Sequence, residues 1–153
     1  MLIRPFQPDD LPTLKRIMVA AFDGVSIDQG MQKLFGIIHD HDWQWRKARH
    51  LDEDAAREPS GIFVAEIDGR IIGFISTWQD REAGIGHIPN LSLEADCRGQ
   101  GLGRKLIEFA LQHFRESGLT HAKIETLSQN AIGEHLYTSL RLREVARQIH
   151  SVA

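Results

Sequence analysis

The segment that most constrains this chain runs from Leu91 to Phe114, where a short apolar stretch passes through Arg98-Gly99-Gln100-Gly101-Leu102-Gly103 into a helical pattern. Leu102, Leu106, Ile107, Ala110, Leu111 and Phe114 recur on one helical face, and Gly118 ends the pattern. A strand that feeds straight into an amphipathic helix predicts an α/β arrangement with that helix packed on a sheet. The start of such a helix offers unpaired backbone N–H groups and the positive end of the helix dipole. Glycines there let an anion approach the backbone closely. Two readings of the loop compete, a tight turn and a phosphate cradle, and the charges favour the cradle. An ordinary helix start attracts Asp or Glu, whereas this one carries Arg98, Arg104 and Lys105. Each cation costs about a few tenths of a kcal/mol there unless an anion sits among them. Two common phosphate loops are excluded. The Walker pattern fails at Arg104 and Leu106, and the dinucleotide pattern fails at the same two positions.

The rest of the chain supplies the sheet and the other helices. Leu2 to Phe6 reads as a first strand, with Pro5 marking an edge or a strand end. A helix follows, with Asp9 or Asp10 as its cap, Pro12 in its first turn and Leu14, Ile17, Met18 and Ala21 on one face. Ile27 to Arg57 is helical, divided by Gly36 and by His39-Asp40-His41-Asp42. Ile62–Ile67 and Arg70–Ile75, joined by Asp68-Gly69, predict a hairpin. A strand over His87–Leu93 leads into the glycine loop, and Pro89 predicts a bulge there because it lacks an N–H. Ala122–Leu127 is the next strand, Asn130 to about Leu140 a short helix, and Val145–Val152 a closing strand. There is no internal repeat or linker, so residues 1–153 are read as one domain.

Composition narrows the classes. A hydrophobic content of 42% with 25% charged residues suits a globular domain, and a net charge of −3 argues against a nucleic-acid partner. No apolar run approaches the roughly 20 residues that span a bilayer. The start MLIRPFQPDD lacks the pattern of a signal peptide, and one cysteine, Cys97, makes no internal disulfide. The expectation is therefore a cytoplasmic protein with no membrane partner. No metal is predicted, because His39 and His41 are two apart and no ligand motif accompanies them. Cys97 reads as structural. Of Trp43 and Trp45, one packs on the core and the other is a candidate for lining an acceptor pocket.

Downstream, Asn130 and Tyr137 lie two turns apart, hence on one helical face. With the loop, these residues resemble the GNAT family of N-acetyltransferases. Its pyrophosphate signature, Q/R-x-x-G-x-G/A, is matched by Arg98, Gly101 and Gly103, and its N-x-x-A-x-x-x-Y by Asn130 and Tyr137, with Gly133 in place of the alanine. The family's following Gly-Phe is replaced by Arg141-Leu142. The resemblance spans essentially the whole chain and is specific after Gly61. It implies a single-domain mixed α/β fold, a mostly antiparallel sheet with flanking helices. It implies acetyl-CoA (coenzyme A) as co-substrate and an amine as acceptor. Cofactor contacts fall to Leu91, Ser92 and Leu93, whose strand pairs with the pantetheine arm, to Arg98, Gly99, Gln100, Gly101, Leu102, Gly103 and Arg104 around the diphosphate, and to Asn130.

The reaction implied is attack of a neutral amine on a thioester carbonyl. A tyrosine, with a reference pKa of about 10, suits protonation of the departing thiolate, which assigns Tyr137 as general acid. A backbone N–H near Asn90-Leu91 is the expected oxyanion donor. The base is left open between His87, which reads equally as an ordinary sheet histidine, and Glu125 acting through water. The small acidic excess between Asp23 and Ser60 suits a cationic acceptor but reads equally as a solvated face. The rival readings are a non-catalytic acyl-CoA sensor of the same fold and a nucleotide-binding or phosphotransfer protein. Paired strands at the chain's end would support a homodimer.

Overall fold

The computed structural model describes residues 1–127 and 131–153. Its elements are β1 (Leu2–Pro5), α1 (Leu11–Ala21), α2 (Ile27–Phe35), α3 (Trp43–Arg57), β2 (Ile62–Ile67), β3 (Arg70–Asp80), β4 (Ile85–Leu93), α4 (Leu102–Glu116), β5 (His121–Ile124) and α5 (Ala131–Ser139). The five strands form one sheet in sequence order. The first four run antiparallel and β5 lies parallel to β4. This is the mixed, mostly antiparallel sheet with flanking helices that the sequence predicts.

Strand alternation divides the core into two layers. On one face Ile62, Val64 and Phe74 pack with Leu14 and Met18 of α1 and Leu51 of α3. On the other, Phe63, Ala65, Ile72, Ile75 and Ile88 pack with Leu106, Ile107, Ala110 and Phe114 of α4. Burying each of these large side chains contributes about 1.5–3 kcal/mol. Cys97 belongs to the α4 layer, consistent with a structural thiol. The β2–β3 turn has positive φ at both Asp68 (50°) and Gly69 (77°), the backbone that a two-residue hairpin requires. Gly36 ends α2 and Asp42 caps α3 by accepting the Trp45 N–H at 2.8 Å, so the split of the long helical region falls where its sequence breaks.

Two expectations fail. The strand expected over Ala122–Leu127 forms only over His121–Ile124. The closing strand over Val145–Val152 does not form, and Val145 and Ile149 are 92% and 93% exposed. The reason is the lack of a partner: among the described residues no strand edge pairs with this segment, so its few apolar side chains have nothing to bury against. The tail therefore supplies no paired strands on which a dimer could be argued.

Candidate active site

The β3–β4 register pairs Ser76 with Asn90 and then Trp78 with His87. Two steps on β3 thus face three on β4, so one extra β4 residue falls at Ile88–Pro89, the bulge predicted from Pro89. Its first consequence is a switch of faces. Gly86 and Ile88 face α4, and a Cβ on Gly86 would lie 2.4 Å from the Phe114 ring. Beyond the bulge Leu91 and Leu93 face α4, while Asn90 reaches Lys47 and Asp54 of α3. His87 shares the α3 face, stacked on Trp78 at 3.9 Å between centroids, with the Arg57 guanidinium over the same indole.

The second consequence is an open edge. β5 pairs with β4 only from Ile85 to Ile88. From Pro89 onward that edge of β4 has no strand partner among the described residues. The Asn90 N–H donates to Ser76 Oγ at 3.1 Å and the Glu94 N–H to the Ile72 carbonyl at 2.7 Å, so even-numbered residues point toward β3. Alternation then turns the N–H and C=O groups of Leu91 and Leu93 to the open edge. Of the two residues considered for the oxyanion donor, Asn90 has already spent its N–H on Ser76, while the Leu91 N–H faces an edge with no strand partner among the described residues.

The open edge runs directly into the glycine loop. Gly99 and Gly101 have φ of 75° and 77°, a left-handed backbone that side-chain-bearing residues adopt at a cost of about 1–2 kcal/mol. Gly101 is the N-cap of α4, whose first turn holds no acidic residue. By helix geometry the amides of Leu102, Gly103 and Arg104 have no intrahelical acceptor. Arg98 donates to the Leu93 carbonyl at 3.3 Å, which braces the loop against β4. Arg104 is partly committed, to Ser139 Oγ at 2.6 Å and near Glu108 Oε1 at 3.6 Å. Gln100 donates to the Asp96 carbonyl. Ser92 is buried with no hydrogen-bond partner for its hydroxyl among the described residues.

α5 lies against the start of α4: besides the Arg104–Ser139 bond, a Cβ on Gly103 would sit 3.6 Å from Leu136. Tyr137 packs on the same cluster as Leu91, Leu93 and Ile124, and burial raises its phenol pKa above the ordinary value. Asn130 lies outside the described residues. Glu125, just beyond β5, is exposed and paired with Lys123 at 3.2 Å. The His87 pKa is lowered, first by burial and then by Lys123. Trp43 is the buried tryptophan; it also lines a groove of about 500 Å³ with Ser26, Gln29, Gln32 and Lys33. Trp45 instead stacks on His41 at 3.4 Å. Among the described residues no three His, Cys, Asp or Glu side chains come together as a metal site, and no helix is long and apolar enough to cross a membrane.

Sequence reasoning missed one cluster. Lys47 of α3, 6% exposed, donates to Asn90 Oδ1 at 3.2 Å and lies 3.3 Å from His50 Nδ1. Asp54 accepts from Asn90 Nδ2 at 2.6 Å and from Ser76 Oγ at 2.7 Å. The signal was present: Trp43, Lys47, Leu51 and Asp54 recur at helical spacing, so two charged residues stand on the face that should be apolar.

A sheet whose fourth strand bulges, splays from the fifth and delivers a glycine loop to a helix N-terminus defines an acyltransferase-like fold. The chain belongs to the acetyltransferase (GNAT) family, whose profile matches residues 27–140. A mycothiol acetyltransferase of Streptomyces avermitilis is 34% identical over 95 residues, 60% of this chain and 31% of that protein. This chain thus spans about a third to a half of the length of the first mycothiol acetyltransferases it matches. An uncharacterized N-acetyltransferase of Archaeoglobus fulgidus is 28% identical over 148 residues, covering 94% and 93% of the two chains. The structure of a PaiA N-acetyltransferase from Thermoplasma acidophilum, in complex with coenzyme A, superposes with a TM-score of 0.71 at 19% identity, over 91% of this chain and 87% of that one.

Proposed function

We propose that this chain is an acetyl-CoA-dependent N-acetyltransferase that moves an acetyl group to a primary amine of a small molecule or peptide by direct attack on the thioester. The observation that carries the reading is the continuity of an unpaired β4 edge with an acid-free helix start. Leu91 and Leu93 offer backbone groups spaced for the amides of a pantetheine arm, and the chain then turns through Gly99 and Gly101 to free amides suited to a diphosphate. Coenzyme A fits these residues: a polar backbone edge for its arm, then N–H donors with Arg98 and Lys105 for its phosphates. The names of the relatives, mycothiol acetyltransferase among them, support acetyl transfer as the chemistry.

When bound, acetyl-CoA supplies an activated acyl carbon and a thiolate leaving group. The Leu91 N–H, turned to the open edge, stabilises the developing oxyanion. Tyr137, its pKa raised by burial, stays protonated near neutrality and gives its proton to the thiolate. Arg98, Gly99, Gln100, Gly101, Leu102, Gly103 and Arg104 hold the diphosphate and Leu91 and Leu93 the arm, whereas Ser92, expected to share that contact, turns its backbone groups toward β3. The test is a screen of amines for thiol release from acetyl-CoA. Amine-dependent release supports the reading; acetyl-CoA binding without release under any amine leaves an acyl-CoA-binding module instead.

A further inference from the structure

Lys47 holds its amino group in the interior with no carboxylate within ion-pair distance among the described residues. Its Nζ lies 3.8 Å above the Phe22 ring centroid, donates to Asn90 Oδ1 and approaches His50 Nδ1. His50 Nε2 in turn lies 3.4 Å from Asp28 Oδ2. The chain Lys47–His50–Asp28 joins two buried groups, Lys47 at 6% and Asp28 at 8% exposed, through a His50 side chain that is 42% exposed and opens to solvent. Asp28, 3.4 Å from Nε2, favours hydrogen on that nitrogen, which leaves Nδ1 able to accept from Lys47.

We propose that Lys47 and His50, with Asp28 as the positioning group, form the proton path that deprotonates the acceptor amine. This rests on the acetyl-transfer reading and assigns the base that reading lacks. The incoming ammonium gives one proton to the neutral Lys47 Nζ. The freed amine lone pair forms the new C–N bond as the C–S bond breaks, and the thiolate takes its proton from Tyr137. Lys47 passes its proton to His50 Nδ1, and His50 releases one to solvent, so charge and protons balance. The interior position suits this role: burial holds the Lys47 pKa down to about 8, so a useful fraction is neutral under ordinary conditions, against the upward pull of Asp28 and Asp54.

The charged and titratable groups facing this path are Asp28 from α2 and His50, Glu53 and Asp54 from α3; the strands contribute the uncharged Ser76 and Asn90. Because Lys47 must be neutral to accept a proton, kcat/KM climbs as pH rises through about 8. The test uses an amine that gives thiol release with the wild type. Lys47→Arg keeps a positive charge and donor reach to Asn90 but holds its proton throughout that range. It is expected to lower kcat/KM about a hundredfold, a size typical of a lost general base, and to remove the limb near pH 8, with acetyl-CoA affinity within twofold. His50→Gln leaves Lys47 in place and is expected to lower kcat about tenfold and to raise the solvent deuterium isotope effect, which a structural role would not do. A Lys47→Arg protein with kcat/KM within threefold of wild type, or an unchanged pH limb, overturns the proposal. Should Lys47→Arg not fold, an unchanged kcat and isotope effect in His50→Gln overturns it equally. A wild type with no amine-dependent thiol release overturns the acetyl-transfer reading, and this one with it.

Discussion

Gly101 is the position at which stability and ligand binding are expected to fail together. Its φ of 77° and ψ of 9° place it in the left-handed region, and a Cβ there would meet nothing within 4 Å. The cost of Gly101→Ala to the unliganded protein is therefore conformational rather than steric, about 1–2 kcal/mol. For a domain of this size each kcal/mol lowers Tm by about 2–4 °C, so the variant should melt about 2–8 °C below wild type. The methyl group also projects from the loop that would hold a diphosphate, and acetyl-CoA affinity should fall at least tenfold. Gly103→Ala is the internal control. Gly103 has no positive φ, and its Cβ would make ordinary contacts of 3.6 Å with Leu136 and Leu93. Alanine there should gain up to about 1 kcal/mol of helix propensity and keep acetyl-CoA binding. The assay is thermal melting with and without millimolar acetyl-CoA, because a ligand of the native state raises Tm by mass action. Equal ligand-induced shifts in wild type and Gly101→Ala would refute the placement of the diphosphate. Equal unliganded Tm values would refute the conformational argument.

Three further outcomes are expected. Tyr137→Phe should change stability by less than about 0.5 kcal/mol, since no hydrogen bond engages its hydroxyl among the described residues, yet lower kcat by about 10²-fold or more at unchanged acetyl-CoA affinity, read by calorimetry and thiol release. Asp10, bonded through both carboxylate oxygens to Arg4 and accepting the Gln7 N–H, has a lowered pKa, owed first to Arg4. A lowered carboxylate pKa contributes stability that is present above its unfolded value of about 3.9 and lost as pH falls through the folded one. Asp10→Asn should thus cost about 1–2 kcal/mol at pH 7 and flatten the fall of Tm between pH 5 and 3, as followed by circular dichroism. Deleting residues 145–153 should shift Tm by less than about 3 °C, because that tail joins no strand and buries no large apolar side chain. A loss of cooperative melting would show that the tail is part of the core after all.

Most of the architecture was legible in the chain because its signals are local. Asp68-Gly69 between two β-rich runs can hardly do anything but turn a hairpin, and the stripe from Leu102 to Phe114 has one face to bury. The glycine loop was equally plain, since Gly99 and Gly101 sit among cations where a helix start ordinarily takes acids. Pro89 announced a bulge for the same reason, its missing N–H being a property of one residue.

Tertiary structure decided what depends on partners far apart in sequence. A bulge switches which side chains face which layer, and only the register between β3 and β4 reveals that Asn90 turns to α3 with its N–H spent on Ser76, leaving Leu91 to the open edge. Whether Val145–Val152 became a strand depended on an edge to pair with, which no local pattern can supply. The Lys47–His50–Asp28 chain joins α2 to α3 and, through Asn90, to β4. The sequence places Lys47 only on the inward face of a helix; its lowered pKa arises because folding removes water from around it.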